Sequence, residues 1–148
     1  MSAKFPELNL DKQLCFSLYA ASRQVTRLYQ PLLKQHDLTY PQYIVLLILW
    51  QNDGLMVKDI GQKSQLKSNT LTPLLKRLEQ NDLVTRKRAK EDERQCYIYL
   101  TDKGKALENE CACIPMEMLG QTDMSMDKLF QLKTLLDEFL QLHENHGG

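Results

Sequence analysis

A chain of 148 residues fits a single compact domain, and its 43% hydrophobic and 26% charged content excludes a disordered chain. Nineteen basic and nineteen acidic side chains cancel, which excludes a histone-like coat or a polybasic membrane anchor. The longest apolar run, Tyr43 to Trp50, is too short to cross a bilayer and no signal peptide precedes it, so the expected compartment is the cytoplasm, with Cys15, Cys96, Cys111 and Cys113 as reduced thiols.

Along the chain, Leu14, Leu18, Ala21, Val25, Leu28 and Leu32 recur at alternating steps of four and three. This is the apolar seam of a long helix, expected over residues 8–36 with Asn9 or Asp11 as its cap. Pro41 fits the first turn of the next helix, which runs through Ile44, Leu47 and Ile48 to about Asn52, is apolar nearly all round and stops at Asp53-Gly54. A short helix pair follows, Val57 to about Ser64 and Ser68 to about Asn81, joined by a turn of a few residues. Ser68 or Asn69 is the expected cap of the second helix, and Leu71, Leu74, Leu75 and Leu78 form its buried stripe. Leu83-Val84-Thr85 and Tyr97-Ile98-Tyr99-Leu100 read as the strands of a β-hairpin around a charged tip from Arg86 to Arg94. Thr101-Asp102 caps another helix, interrupted near Pro115, and a last helix starts around Ser125-Met126-Asp127 with Leu129, Leu132, Leu136 and Phe139 as its seam. The two terminal helices carry more apolar surface than the middle needs to cover, so they either pair within the chain or join two copies. The expected fold is mainly α with a small β-wing. In it a winged helix-turn-helix over residues 41–101 sits between dimerisation helices at 8–36 and 103–146, all within one domain.

The zero net charge conceals a division. Between Lys58 and Lys105 there are twelve basic and seven acidic residues, net +5, and the remainder is net −5. Opposite its leucines the second helix of the pair exposes Ser68, Asn69, Thr70, Thr72, Lys76 and Arg77, short polar groups for base edges followed by cations for phosphates. The hairpin adds Arg86, Lys87, Arg88, Lys90 and Arg94, suited to backbone or a narrow minor groove.

These residues carry a resemblance. The succession Val57-Lys58-Asp59-Ile60-Gly61, Leu71-Thr72-Pro73-Leu74-Leu75-Lys76-Arg77-Leu78-Glu79, Leu83-Val84-Thr85-Arg86, Asp92-Glu93-Arg94 and Leu100-Thr101-Asp102-Lys103-Gly104 resembles the MarR family of bacterial winged-helix repressors over nearly the whole chain. The resemblance implies a homodimer joined by its N- and C-terminal helices, with Arg94 in the minor groove steadied by Asp92 and the second helix of the pair in the major groove. Such a dimer reads double-stranded DNA as a pseudo-palindrome with half-sites about 34–36 Å apart.

A repressor needs a signal, and the thiols differ in what they offer. Cys96, in a wing strand, reads as structural. Cys111 and Cys113 lie roughly 200° apart around a helix, poor for bonding each other and without two-pair metal spacing. Cys15 falls in the opening turns of the first helix, where partial positive charge favours a thiolate, although by position alone a small buried hydrophobe competes with that reading. The stretch Asn9-Leu10-Asp11-Lys12-Gln13-Leu14-Cys15-Phe16-Ser17-Leu18-Tyr19-Ala20, with Tyr29 and Thr39-Tyr40-Pro41-Gln42-Tyr43, is similar to the organic hydroperoxide sensing (OhrR) branch of the MarR family. This similarity implies that Cys15 is the peroxidatic sensor and that Tyr29 and Tyr40 reach it from the partner subunit, their O–H groups donating to sulfur and their rings admitting an alkyl or lipid hydroperoxide. Tyr19, one turn after Cys15, lines the same pocket. Oxidation to a sulfenic acid, resolved by Cys113 or Cys111 in trans or by a small thiol, would then release the DNA. Two-cysteine members of the branch place the resolving residue nearer Gly120.

Competing readings use the same residues. One is a MarR-type repressor released by a non-covalent phenolic or aromatic ligand; another, from a different class, is a thiol peroxidase, for which Arg23, two turns from Cys15, is a poor activating group. A winged helix that binds protein and not DNA is the third. No enzymatic role, cofactor, metal or membrane partner is expected.

Overall fold

The computed structural model describes residues 4–89 and 92–146, with side chains described except at 89, 92–94 and 142–146. By its internal packing the chain divides into two compact units, Met1–Met118 and Leu119–Gly148. No helix among the described residues is long and apolar enough to cross a membrane.

In the first unit, two 3-10 turns, Pro6–Leu8 and Leu10–Lys12, precede helix α1 (Leu14–Lys34). Neither Asn9 nor Asp11 caps that helix. Its cap residue is Gln13, whose Nε2 reaches back to the carbonyls of Glu7 and Asn9 at 2.7 and 3.0 Å, so the first-turn N–H groups receive no side-chain acceptor from it. The helix starts later than expected because residues 6–12 close tighter turns of their own, with i to i+3 bonds from Leu8, Asn9, Lys12 and Gln13.

Helix α2 (Tyr40–Gln51) opens with a full capping box: Thr39 Oγ1 accepts from the Gln42 N–H at 3.3 Å and Gln42 Oε1 from the Thr39 N–H at 3.0 Å. As its all-round apolar sequence requires, it is the central helix, burying Tyr43, Val45, Leu46 and Leu49. Asp53 and Gly54 end it and start the sheet. Asp53 Oδ1 accepts from the Leu100 N–H at 2.8 Å, and Gly54, at φ +73°, lies under the Tyr99 ring where a Cβ would collide.

A two-residue strand β1 (Leu55–Met56) leads into α3 (Val57–Ser64) and α4 (Ser68–Gln80), with Gln65 left-handed in the turn between the helices at φ 62°. The expected cap by Ser68 or Asn69 is not made. Lys67 is the cap position and its carbonyl accepts from Thr70 and Leu71, which leaves Ser68 and Asn69 as the first two helical residues. Leu71, Leu74, Leu75 and Leu78 are buried as their spacing predicts.

The wing comprises β2 (Val84–Ala89) and β3 (Asp92–Leu100), which with β1 form an antiparallel sheet of order β1-β3-β2. The strands run further into the charged segment than apolar alternation indicated. Arg86 pairs with Ile98 and Arg88 with Cys96, because an edge strand tolerates cations that water solvates on its open side. Arg86 also ties the wing to α4: its Nε and Nη2 donate to Glu79 Oε1 at 3.2 and 2.9 Å.

Helix α5 (Asp102–Cys111) docks on the link between α4 and β2. Thr101 caps it, accepting from the Gly104 N–H at 3.0 Å, while its own hydroxyl donates to the Asp82 carbonyl at 2.6 Å and its N–H to the Leu83 carbonyl at 3.0 Å. Gly104 sits so close that a Cβ would run into the Leu83 carbonyl oxygen, and Trp50 Nε1 donates to the Gly104 carbonyl at 2.9 Å. The interruption expected near Pro115 falls just ahead of it, at Ala112-Cys113, and Pro115 sits in the first turn of α6 (Ile114–Gly120), where its missing N–H costs no helical bond. In the second unit, α7 (Met126–His146) begins after Ser125, whose Oγ accepts from the Lys128 N–H at 3.3 Å, and leaves Phe130, Leu135, Phe139 and Leu140 exposed.

Two stability tests follow from these junctions. Gly104→Ala should lower the urea midpoint, by about 1–3 kcal/mol in unfolding free energy, because the Leu83 backbone has to move. For the ion pair, the Arg86 hydrogen bond holds Glu79 below its ordinary value of 4.5, while Arg86 is raised and stays protonated. Its contribution is therefore complete above pH 4.5 and lost as pH falls through the lower folded-state value. Glu79→Gln should accordingly be less stable than wild type at pH 7, with the gap between their urea midpoints closing on acidification below 4.5.

Candidate nucleic-acid interface and redox site

Burying four leucines fixes what α4 shows to solvent. Ser68, Asn69, Thr70, Thr72, Lys76 and Arg77 are all exposed on it, polar residues in the first turn and cations two turns on. None of them is engaged in an ion pair among the described residues. Arg86 departs from the expectation of a DNA contact: half-buried and held by Glu79, its guanidinium braces the wing against α4. Lys87 and Arg88 remain exposed, with the Lys87 ammonium 5.1 Å from the Tyr99 ring centroid. Lys90 lies outside the described residues, as do the side chains of Asp92 and Arg94.

Cys15 is the second residue of α1 and is exposed, open to solvent rather than buried as a small hydrophobe. Tyr19, one turn on, is 59% exposed. Its hydroxyl oxygen accepts a hydrogen bond from Arg23 Nη1 at 2.9 Å, and the guanidinium lies 5.5 Å from its ring centroid.

Tyr29 and Tyr40 come together, with ring centroids 5.2 Å apart, and Tyr43 joins them at 5.6 Å from Tyr29 and 6.5 Å from Tyr40. Burial raises all three phenols above the ordinary value of 10.0, with Tyr40 adding to the effect on Tyr29. Tyr43, fully buried and next to Tyr29, Cys111 and Tyr40, is pushed up to about 12. They are hydrogen-bond donors at neutral pH. Cys15 does not join this cluster within its own chain, because 14 residues of continuous helix separate it from Tyr29 by about 21 Å.

Tyr43 and Arg23 had no assigned role from sequence alone. The signal for Tyr43 was its spacing of three from Tyr40 on a helix, which sets both rings on one face. That face continues to Trp50, whose ring stands edge-on to Tyr43 at 6.4 Å.

The remaining thiols separate by exposure, although not through the roughly 200° helical angle expected for Cys111 and Cys113, because α5 ends at Cys111 and Cys113 lies in the turn before α6. Cys111 is 2% exposed in the core, and burial, Glu110 and Cys113 push its thiol up to about 11. Cys113 is exposed, and a hydrogen bond with Glu117 raises it. Cys96 is half-buried against the core. Among the described residues no group of His, Cys, Asp and Glu is placed to hold a metal ion.

The family model for the transcriptional regulator SarA/Rot matches residues 27–111. The organic hydroperoxide resistance transcriptional regulator of Bacillus subtilis is 47% identical over 147 residues, covering 99% of this chain and 100% of that protein. Reduced AbfR bound to DNA superposes with a TM-score of 0.81 at 36% identity, covering 99% of this chain and 100% of that one; AbfR is a protein of Staphylococcus epidermidis. Its disulfide form gives 0.63 at 38% identity over 92% of this chain and 90% of that one. On these matches and its helix pair and wing, this chain belongs to the SarA/Rot family of MarR-like winged-helix transcriptional regulators.

Proposed function

We propose that this regulator is a cytoplasmic, homodimeric DNA-binding repressor that organic hydroperoxides release by oxidising Cys15. The observation that carries the reading is the separation along α1. Cys15 is open to solvent, and the half-buried phenol pair Tyr29 and Tyr40 stands about 21 Å away on the same rigid element, so their meeting requires a second copy. The exposed apolar side chains of Leu8, Leu10 and Leu14, and of Phe130, Leu135 and Phe139, supply surfaces for such a pairing.

Ser68, Asn69, Thr70 and Thr72 face base edges in the major groove, Lys76 and Arg77 meet phosphates, and Arg94, steadied by Asp92 and flanked by Lys90, enters the minor groove. Two such heads read a pseudo-palindrome with half-sites about 34–36 Å apart. Residues 8–36 and 103–146 join the subunits and 41–101 read the DNA, within one functional domain. The Cys15 thiolate attacks the distal oxygen of the hydroperoxide, becomes a sulfenic acid and releases an alcohol. Tyrosine contacts with sulfur rearrange, the heads change spacing, and affinity for the operator falls. Buried Cys111 is a poor resolving thiol, leaving exposed Cys113 or a small thiol.

A cleft favours the second reading of a non-covalent aromatic ligand. It has a volume of about 510 Å³ and is lined by Tyr43, Ile44, Leu47, Ile48, Trp50 and Cys111. Fluorescence anisotropy on an operator fragment separates the two readings. Cumene hydroperoxide should release the wild type and leave Cys15→Ser bound; release of that variant would sink the sensor reading in favour of the ligand site. In the same assay Arg94→Ala should bind more weakly, and Lys76→Ala should flatten the dependence of log affinity on log salt by about one unit per lost phosphate contact.

A further inference from the structure

Arg23 stands two turns along α1 from Cys15, yet its guanidinium does not stay there. It folds back onto the Tyr19 hydroxyl, one turn nearer. Cys15, Tyr19 and Arg23 are spaced by four and share one face of the helix. Side chains on a helix lean toward its N-terminus, which carries Arg23 over Tyr19 and inclines Tyr19 toward the turn that holds Cys15. A guanidinium has donors only, so the phenol oxygen accepts and its own proton is left for another acceptor.

Tyr19 is exposed, so water can take that bond at rest, and the proton is free for a group that comes to need one when Cys15 reacts. Cleavage of an alkyl hydroperoxide by a thiolate expels an alkoxide, which leaves poorly without an acid. We propose that Tyr19 is this general acid and that Arg23 is the residue that positions and activates it. The proposal rests on Cys15 being the thiol that meets peroxide. A sulfur lone pair attacks the distal oxygen, the S–O bond forms and the O–O bond breaks, oxidising sulfur and reducing the peroxide. The distal oxygen keeps its hydrogen as S–OH, and the departing alkoxide takes the Tyr19 proton and leaves as the alcohol. The phenolate, its charge held by the Arg23 guanidinium, regains a proton from water. Tyr29 and Tyr40 of the partner subunit thus serve the sulfur, and Tyr19 serves the leaving oxygen.

The test varies the leaving group's need for a proton. Full-length wild type, Arg23→Gln, Arg23→Lys and Tyr19→Phe are reacted with tert-butyl hydroperoxide, peracetic acid and iodoacetamide, and Cys15 modification is followed by quenched intact-mass measurement. Alkoxide departure needs the acid; acetate and iodide do not. Arg23→Gln and Tyr19→Phe should slow the hydroperoxide reaction about tenfold to a hundredfold while leaving the peracid and alkylation rates unchanged, and Arg23→Lys should recover part of the loss. Equal slowing of all three reagents, or of none, overturns the proposal. If wild-type Cys15 alkylates but does not oxidise, the sensor reading fails and takes this one with it.

Discussion

A helix cannot fold back on itself, and that constraint organises everything this chain does. Helix α1 carries Cys15 at one end and Tyr29 near the other, with no break between them. The tyrosines that suit a sulfur anion are therefore beyond the reach of the sulfur in their own subunit. On the proposed reading a second copy of the chain supplies them, which makes the chemistry conditional on assembly. The same rigidity explains why the apolar residues near the start of α1 remain exposed: the first unit half-buries α1 along its second half and fully buries it only at Leu33. Surface of that kind is costly to leave in water, at about 25 cal/mol for each Å² of apolar area.

Packing then connects the tyrosines to the DNA-reading helix. Tyr29 and Tyr40 lie on Tyr43, Tyr43 meets the edge of Trp50, and Trp50 donates to the carbonyl of Gly104. Gly104 in turn has no free space against the Leu83 backbone, which follows directly on α4. Each link is a ring contact, a hydrogen bond or a close backbone approach, which makes the path contiguous from the tyrosines to the end of α4. The Arg86–Glu79 pair extends it to the wing. On the proposed reading this is the route by which a rearrangement at the tyrosines would reach the reading head.

Much of this was legible in residue spacing. The leucines of α4, Pro41 in the first turn of α2, the capping threonine at 101 and the helix stop at Asp53-Gly54 are local patterns, and local chemistry decided them. What escaped were features set by tertiary contact. Strand β1 has two residues, too few for an alternation, and exists because β3 offers it a ladder edge. Arg86 looked like one more wing cation, since nothing in its neighbours revealed that Glu79, seven residues earlier, would end beside it. Asn9, Asp11, Ser68 and Asn69 all have good capping side chains, but caps depend on backbone angles at one residue, and Gln13 and Lys67 hold those angles here. Arg23 was set aside because helical rise put it too far from Cys15; the flexible side chain covers one of the two turns.

On the proposed reading an oxidised Cys15 needs a resolving thiol, and the cysteines of the chain differ in how well they suit that task. A nucleophile that attacks a sulfenic acid has to be a thiolate and has to arrive. Cys111 meets neither condition: burial, Glu110 and Cys113 push its thiol up to about 11, and the core closes around it. Cys113 can arrive, but its hydrogen bond with Glu117 favours the protonated form. A small thiol escapes both obstacles, since Cys15 is exposed and a diffusing thiol is held back neither by the core nor by Glu117. On the proposed reading a diffusing thiol is therefore favoured over either cysteine of the chain, and the lifetime of the oxidised state lies in the thiol pool around the protein rather than in the fold.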